Sequence, residues 1–340
     1  MKKKSAVSYI NHHEKYIDNR ISILSHYVSL GVLSIESIIN FLIDKEKHID
    51  TSLLELSEAL FEIKELLVKW NIFSYGDLIG YIYQELQRTE NKKAKGQFFT
   101  PEDIVTYITS KVIAKEKKIL DPACGSGQFL INAFKHLMIN AGFELNEISS
   151  KTNEYITYAK HIISTCLYGF DNDPIALKIA HYNLCLIANC TSVKPNLFVF
   201  DYLDKSYEKP LPHKELKFDI IIGNPPWGSK LSKELKSYYK HEYYSAKSGV
   251  NTFTLFIERS IQFLSYNGKL SFLVPEAYLN IKAHQNSREL LLSQFNINEI
   301  TIWGERFKNV YAPAISFIIT KEIQVADRES NITEIKQSKN

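Results

Sequence analysis

Residues 221–230 read IIGNPPWGSK, an apolar strand end followed by an amide, two prolines and an indole. A turn of Asn224, Pro225, Pro226 and Trp227 presents two acceptors. One is the Asn224 side-chain carbonyl. The other is the Pro225 main-chain carbonyl, whose direction the proline ring sets. A planar primary amine, such as the exocyclic amine of a flipped nucleobase, has two N–H donors to place. Bonding both protons localises the nitrogen lone pair and aims it outward as a nucleophile. Trp227 adds a flat face on which a base can stack. This chemistry needs neither a metal nor a nucleophilic side chain. The plainer reading of the same residues is a rigid turn after a buried strand.

Three further stretches place carboxylates and glycines where a nucleoside-like ligand would sit. In LDPACGSGQFL (120–130) a strand ends at Asp121, turns through Pro122 and passes Ala123, Gly125 and Gly127 into a helix. Glycines let a ligand approach the backbone, and a helix start offers unpaired N–H groups. The spacing falls short of G-x-G-x-x-G, and no lysine is placed to hold a phosphate, which excludes a P-loop. GFDND (169–173) puts Asp171 at a strand end, where an acidic residue binds ribose hydroxyls. Asp173-Pro174 reads as a helix cap with a first-turn proline, which leaves Asp171 to a ligand. In FVFDYL (198–203) Asp201 can accept from an adenine amino group while Tyr202 packs on the ring. Each stretch also has a structural reading: a tight strand-to-helix turn, a cap, a carboxylate in a polar turn.

The chain that must position these residues has 340 of them, 45% hydrophobic, enough for an ordinary domain plus a smaller one. With 23% charged residues and a net charge of +3, any nucleic-acid surface must be a local patch. Cys124, Cys166, Cys185 and Cys190 form no C-x-x-C pair, which argues against a zinc site or a disulfide framework and suits a reducing cytosol. The basic N-terminus leads into no apolar run, so it is not a secretory signal. No stretch approaches the ~20 apolar residues of a membrane span. These features predict a cytoplasmic protein without a metal.

Residues 1–90 carry helical periodicity, notably in 22–43 and 52–70, and predict a helical N-terminal domain. The basic stretch NKKAKG (91–96) marks a boundary. From there to residue 322, seven short apolar runs alternate with helical patterns. The first four runs end at Asp121, Asp171, Asp201 and Gly223; KLSFLV, NEITIW and AISFIIT follow. This predicts an α/β fold with a seven-stranded, mostly parallel, doubly wound sheet. Ligands of such sheets bind at the carboxyl ends of the strands. Residues 141–164 read as an insertion with its own helix, and 323–340 as a frayed polar tail. After the Asn-Pro-Pro-Trp turn, residues 228–249 mix Lys230, Lys233, Lys236, Lys240 and Lys247 with Tyr238, Tyr239, Tyr243 and Tyr244. These are residue types for phosphate contact and base stacking, or for an ordinary exposed helix and loop.

The motifs GQFFTP (96–101), DPACGSG (121–127), GFDND, FDYL and IIGNPPW occur in an order that resembles the S-adenosylmethionine-dependent methyltransferases of adenine in DNA, in the circular order called gamma. The resemblance covers roughly residues 90–322. Residues 251–279 are similar to the methyltransferase part of fused restriction–modification enzymes and of type I modification subunits, and NVYAPAISFIIT (309–320) to the family's last strand motif. The resemblance implies S-adenosylmethionine as cofactor and site-specific methylation of N6 of a flipped adenine in double-stranded DNA. It implies that Phe99, Thr100 and Pro101 line the methionine end, and that Asp121, Ala123, Gly125 and Gly127 form the loop beneath. Asp171 would hold the ribose and Asp201 the adenine amine. Asn224, Pro225, Pro226 and Trp227 would hold the target amine. Phe317 would be a second aromatic face, or else a core residue of its strand. Trp227 stands where tyrosine or phenylalanine is commoner, and keeps the capacity to stack. Such enzymes read sequence with a separate region, and no segment long enough for this follows the last strand. A specificity subunit, a missing recognition region, or the loop after the turn would then choose the site. Other readings keep part of the chemistry: methylation of RNA or protein glutamine, a non-catalytic DNA-binding or assembly subunit, and, more distantly, a dehydrogenase.

Overall fold

The structure, a computed structural model, describes residues 6–44, 53–69, 77–90, 100–146, 148–205, 216–228, 231–306, 313–322, 324 and 329–338. Among the described residues eight strands form one sheet: β1 (Ile119–Asp121), β2 (Leu167–Asp171), β3 (Asn196–Val199), β4 (Phe218–Gly223), β5 (Leu264–Pro275), β6 (Phe295–Gly304), β7 (Ala314–Lys321) and β8 (Glu334–Gln337). Their order is β3-β2-β1-β4-β5-β7-β6-β8. The first five are mutually parallel, and β7 runs antiparallel to both β5 and β6. The central strands are buried along nearly their whole length, as runs covered on both faces must be.

Helices clothe that sheet: α5 (Glu102–Val112), α6 (Gln128–Asn140), α7 (Asn153–Thr165), α8 (Pro174–Ile187), α9 (Lys233–Glu242), α10 (Thr252–Phe263) and α11 (Gln285–Gln294). Before them come α1 (Ala6–Ser29), α2 (Ile35–Ile43), α3 (Leu54–Lys69) and α4 (Leu78–Glu90). The periodic stretch 22–43 is split into α1 and α2. Gly31 adopts φ +71°, and the Ser34 hydroxyl caps α2 by accepting the Ser37 N–H. The four described N-terminal helices build a second core around Leu24, Ile38, Leu56 and Ile82. That core also takes in Ala176 and Ile179 of α8. The helical region is therefore packed on the helix that follows β2. No described helix is long and apolar enough to cross a membrane.

The sheet order reverses direction between β1 and β4, the place where doubly wound sheets open a crevice at their carboxyl ends. Asp121 and Gly223 occupy those ends. Gly223 has φ +155°, and an added Cβ would lie 2.6 Å from Asp121 Oδ1. Only glycine lets the carboxylate rest against the neighbouring strand end.

Two expectations are corrected. The sheet has eight strands rather than seven, because the polar tail pairs in parallel with β6 as β8. Its anchor is Glu299, whose side chain is 8% exposed and receives Lys336 Nζ at 2.5 Å. A buried carboxylate needs such partners. Asn331 Nδ2 and the Thr333 hydroxyl both donate to the Ile297 carbonyl. A short, charged strand suits a sheet edge. The third strand, in turn, stops at Val199 and not at Asp201. Asp201 Oδ1 accepts the Leu203 N–H and the Asp201 carbonyl accepts the Asp204 N–H, which turns the chain.

Candidate active site

At the end of β1, Asp121 is 2% exposed and accepts the Ala123 N–H at 3.1 Å. Burial pushes its carboxyl up to about 8, and the nearby charge of Asp171 adds to the effect. At the end of β2, Asp171 accepts the Gly125 N–H at 2.8 Å through Oδ2 and the Asp173 N–H at 2.9 Å through Oδ1. Asp171, which the sequence offers to a ligand, also ties the glycine loop to the turn before α8 through its two oxygens. Asp173 caps α8 as its Asp-Pro sequence implies, accepting from the Ile175 and Ala176 N–H groups. Gly125 and Gly127 both have positive φ, and α6 begins at once, its Gln128 Nε2 donating to the Thr100 carbonyl at 2.7 Å.

The turn after β4 is anchored by three separate elements. Asn224 Nδ2 donates to Thr100 Oγ1 at 3.1 Å. The Thr252 hydroxyl, at the start of α10, donates to the Pro226 carbonyl. Trp227 Nε1 donates to the Leu273 carbonyl of β5 at 3.3 Å. With the amide nitrogen held, the other end of the carboxamide has a fixed direction. Among the described residues Asn224 Oδ1 is buried and has no hydrogen-bond partner.

One cavity is lined by Thr100, Asp121, Ala123, Gly125, Asp171, Asn224 and Pro226 among others. A second adjoins it through Ala123, Asp171 and Pro226, and extends to Asp201, Tyr239 and Phe256. The structure thus gathers most of the expected site residues around one crevice. Pro101, Gly127 and Pro225 flank it without lining it. Phe99 and Lys230 lie outside the described residues. Trp227 is 7% exposed beneath the turn. Phe317 is 3% exposed within β7, in register with Phe272 and, through it, with Gly223. Neither ring lines either cavity. Carboxylates line both cavities, and among the described residues no lysine, arginine or histidine does. That charge suits a cationic ligand such as a sulfonium that also carries an ammonium. Among the described residues no group of three or more His, Cys, Asp or Glu side chains is arranged for a metal ion.

Some expected aromatic roles move to the core. Tyr202 is 1% exposed, bonded to Ser260 and packed on Phe256 and Phe263, so it does not offer its ring to a ligand. Tyr202 borders the second cavity only at its edge, together with Phe200, Tyr239 and Phe256. Of the tyrosines after the Asn-Pro-Pro-Trp turn, Tyr239 and Tyr243 are buried, and Tyr243 donates to the Leu203 carbonyl. Lys233, Lys236, Lys240 and Lys247 are exposed. The region thus exposes its lysines, while Tyr243 packs in the core and Tyr239 lines the second cavity.

Sequence reasoning missed the contribution of α4 to the site. Its Tyr83, Gln84 and Gln87 line the first cavity. Tyr83 donates to Asp173 Oδ2 at 2.6 Å, and Gln87 Nε2 reaches both Tyr83 and Asp173. Neutral amides on a helix carry no chemical signature. The one available pointer is their spacing of a single turn, which puts them on one face.

A crevice at the switch point of this sheet, acidic and closed by an anchored Asn-Pro-Pro turn, is that of a methyltransferase fold. A Listeria monocytogenes protein assigned to the class I S-adenosylmethionine-dependent methyltransferases superposes with a TM-score of 0.60 at 18% identity, covering 96% of this chain and 94% of that one. A type I restriction–modification methyltransferase subunit from Streptococcus thermophilus gives 0.54 at 17% identity, covering 89% of this chain and 65% of its own. These likenesses show the fold. The model of the N-6 DNA methylase family matches residues 74–340, and the chain belongs to that family. The match includes α4. Among curated relatives, the type II methyltransferase M.VspI of a Vibrio species is 29% identical over 245 residues, 71% of this chain and 52% of its own length. The chain spans still less of other curated relatives, such as 35% of RM.Eco57I from Escherichia coli.

Proposed function

We propose that this chain carries the catalytic centre of a site-specific DNA adenine-N6 methyltransferase of a restriction–modification system. The observation that carries the reading is Asn224 Oδ1, a buried acceptor without a donor, at the crevice where the strand order reverses. An unsatisfied buried acceptor costs about 1–3 kcal/mol. A ligand amine that reaches it offsets that cost.

S-adenosylmethionine, when bound, supplies an activated methyl group on a sulfonium, so positioning provides much of the catalysis. Thr100 and Pro101, with Phe99 before them, border the methionine end. Asp121 meets the positive charge there. Ala123, Gly125 and Gly127 hold the loop beneath, Asp171 the ribose and Asp201 the adenine amino group of the cofactor. Asn224 Oδ1 accepts one N–H of the target amine and the Pro225 carbonyl the other, which aims the nitrogen lone pair at the methyl. Pro226 holds the turn through Thr252. The proton displaced from the methylated nitrogen leaves to water. A duplex buries that amine, so the adenine must be extruded. Trp227 and Phe317 are the proposed aromatic faces; both are packed here, so base entry has to uncover the Trp227 ring. Exposed Lys233, Lys236 and Lys240 of α9 contact phosphates. Site choice comes from a specificity partner or a further region of a longer protein, in keeping with the Streptococcus relative being one subunit of a type I system.

The test is transfer of tritiated methyl from S-adenosylmethionine to mixed-sequence duplex DNA, followed by nucleoside analysis. The expected label is N6-methyladenine. Label in RNA or protein and none in DNA would overturn the substrate, and failure to bind S-adenosylhomocysteine would overturn the enzyme.

A further inference from the structure

We propose that α4 recognises the amino-acid end of the cofactor, the Gln84 carboxamide donating to its α-carboxylate and Gln87 Oε1 accepting from its α-ammonium. This rests on the methyltransferase reading above, and assigns part of the cofactor site to the helical region outside the strand-end loops.

The helix is built to lie against those loops. Asp77, 4% exposed, accepts the Gly80 N–H at 2.7 Å and so caps the start of α4. A Cβ on Gly80 would lie 1.9 Å from Asp77 Oδ2 and 2.2 Å from Ser126 Oγ. The α4 backbone therefore runs directly against the glycine loop. Gly80, Tyr83, Gln84 and Gln87 fall at three- and four-residue steps on one face. Tyr83 and Gln87 fasten that face to Asp173, two residues beyond Asp171. One helix face thus touches both cofactor loops.

The chemistry of the cavity then selects the two glutamines. An amino-acid end brings a carboxylate into a space lined, among the described residues, by Asp121, Asp171 and Asp173 and by no basic side chain. Neutral donors have to meet it. Gln84 lines the cavity, and its carboxamide makes no hydrogen bond among the described residues. Gln87 is oriented differently. Its Nε2 is held by Tyr83 and Asp173, which leaves the carbonyl end of the amide as the acceptor it can offer.

Two ligands separate this role from a general one. S-adenosylhomocysteine carries the amino-acid end; 5′-methylthioadenosine keeps the adenosine and the thioether without it. Calorimetric titration of the full chain with each, as wild type, Gln84→Met and Gln87→Met, tests the assignment. Methionine keeps the side-chain volume and helix propensity. Each variant is expected to weaken S-adenosylhomocysteine about tenfold or more, as loss of a hydrogen bond to a charged group does. Methylthioadenosine affinity is expected to stay within about twofold, which also reports an intact site. Equal losses for both ligands, or unchanged S-adenosylhomocysteine affinity, would overturn the role of α4. Wild type that binds neither ligand would instead sink the methyltransferase reading itself.

Discussion

The ends of β1 and β2 lie beside the end of β4, yet their hydrogen bonding is opposite. Asp121 and Asp171 accept from the backbone N–H groups of Ala123, Gly125 and Asp173. Asn224 is held equally firmly through its nitrogen and keeps a buried oxygen with no donor. On the proposed reading, the cofactor side of the crevice is a finished structure whose loops are tied together before any ligand arrives, and the catalytic side retains an unmet acceptor where a substrate gains most by binding.

The largest break in this comparison should come where the two sides touch. Gly223→Ala puts a methyl group against Asp121 at a backbone angle that disfavours side chains. The expected loss is about 2–4 kcal/mol in urea unfolding, because strain and overpacking act together. A loss below about 0.5 kcal/mol would mean that the strand ends do not meet as described. Next in size is Asp171→Ala, which leaves the Gly125 and Asp173 N–H groups without their carboxylate. Stability should fall by about 1–3 kcal/mol. S-adenosylhomocysteine affinity should fall as well, and unchanged affinity would separate the loop from cofactor binding.

A pH titration sharpens the comparison further. In the unliganded protein the Asp121 carboxyl is neutral below about 8. A cationic ligand favours the carboxylate, so binding releases a proton and affinity rises with pH. Between pH 6 and the Asp121 value, S-adenosylmethionine affinity should climb by up to about tenfold per pH unit, then level off. Asp121→Asn should flatten the profile. A profile of wild type that falls with pH would contradict the assignment. The smallest effect belongs to the far edge of the sheet. Lys336→Met removes the nearer cation of Glu299, but Lys111 remains at 4.0 Å and Tyr107 and Thr301 still donate to it. About 1 kcal/mol of stability should be lost, with methyl transfer unchanged.

Legibility in the sequence followed the range of the interactions. The turns after β1, β2 and β4 were readable because proline, glycine and the Asp173 cap act within a few residues. The tail was misread because NITEIKQS has no apolar run; its strand depends on Glu299, thirty-seven positions before Lys336. The engagement of Asp171 was hidden for the same reason, since Gly125 is distant in sequence. Tyr239 and Tyr243 could have been read better. Four residues apart, at the end of α9 and just past it, they point the same way, and such a pair is buried more often than exposed. Gln84 and Gln87 became visible only when the fold laid α4 against the glycine loop.

The central claim is that Asn224 serves the substrate and not the fold or the cofactor. Its most direct test is Asn224→Ala, with methyl transfer to DNA, S-adenosylhomocysteine affinity and unfolding free energy measured on the same preparation. Transfer should fall about 10²–10³-fold or more, as loss of one preorganised hydrogen-bonding group in an active site does. Cofactor affinity should stay within about twofold and stability should hold or rise. Transfer retained at more than about a tenth of wild type, or lost only in step with cofactor affinity, would contradict the account.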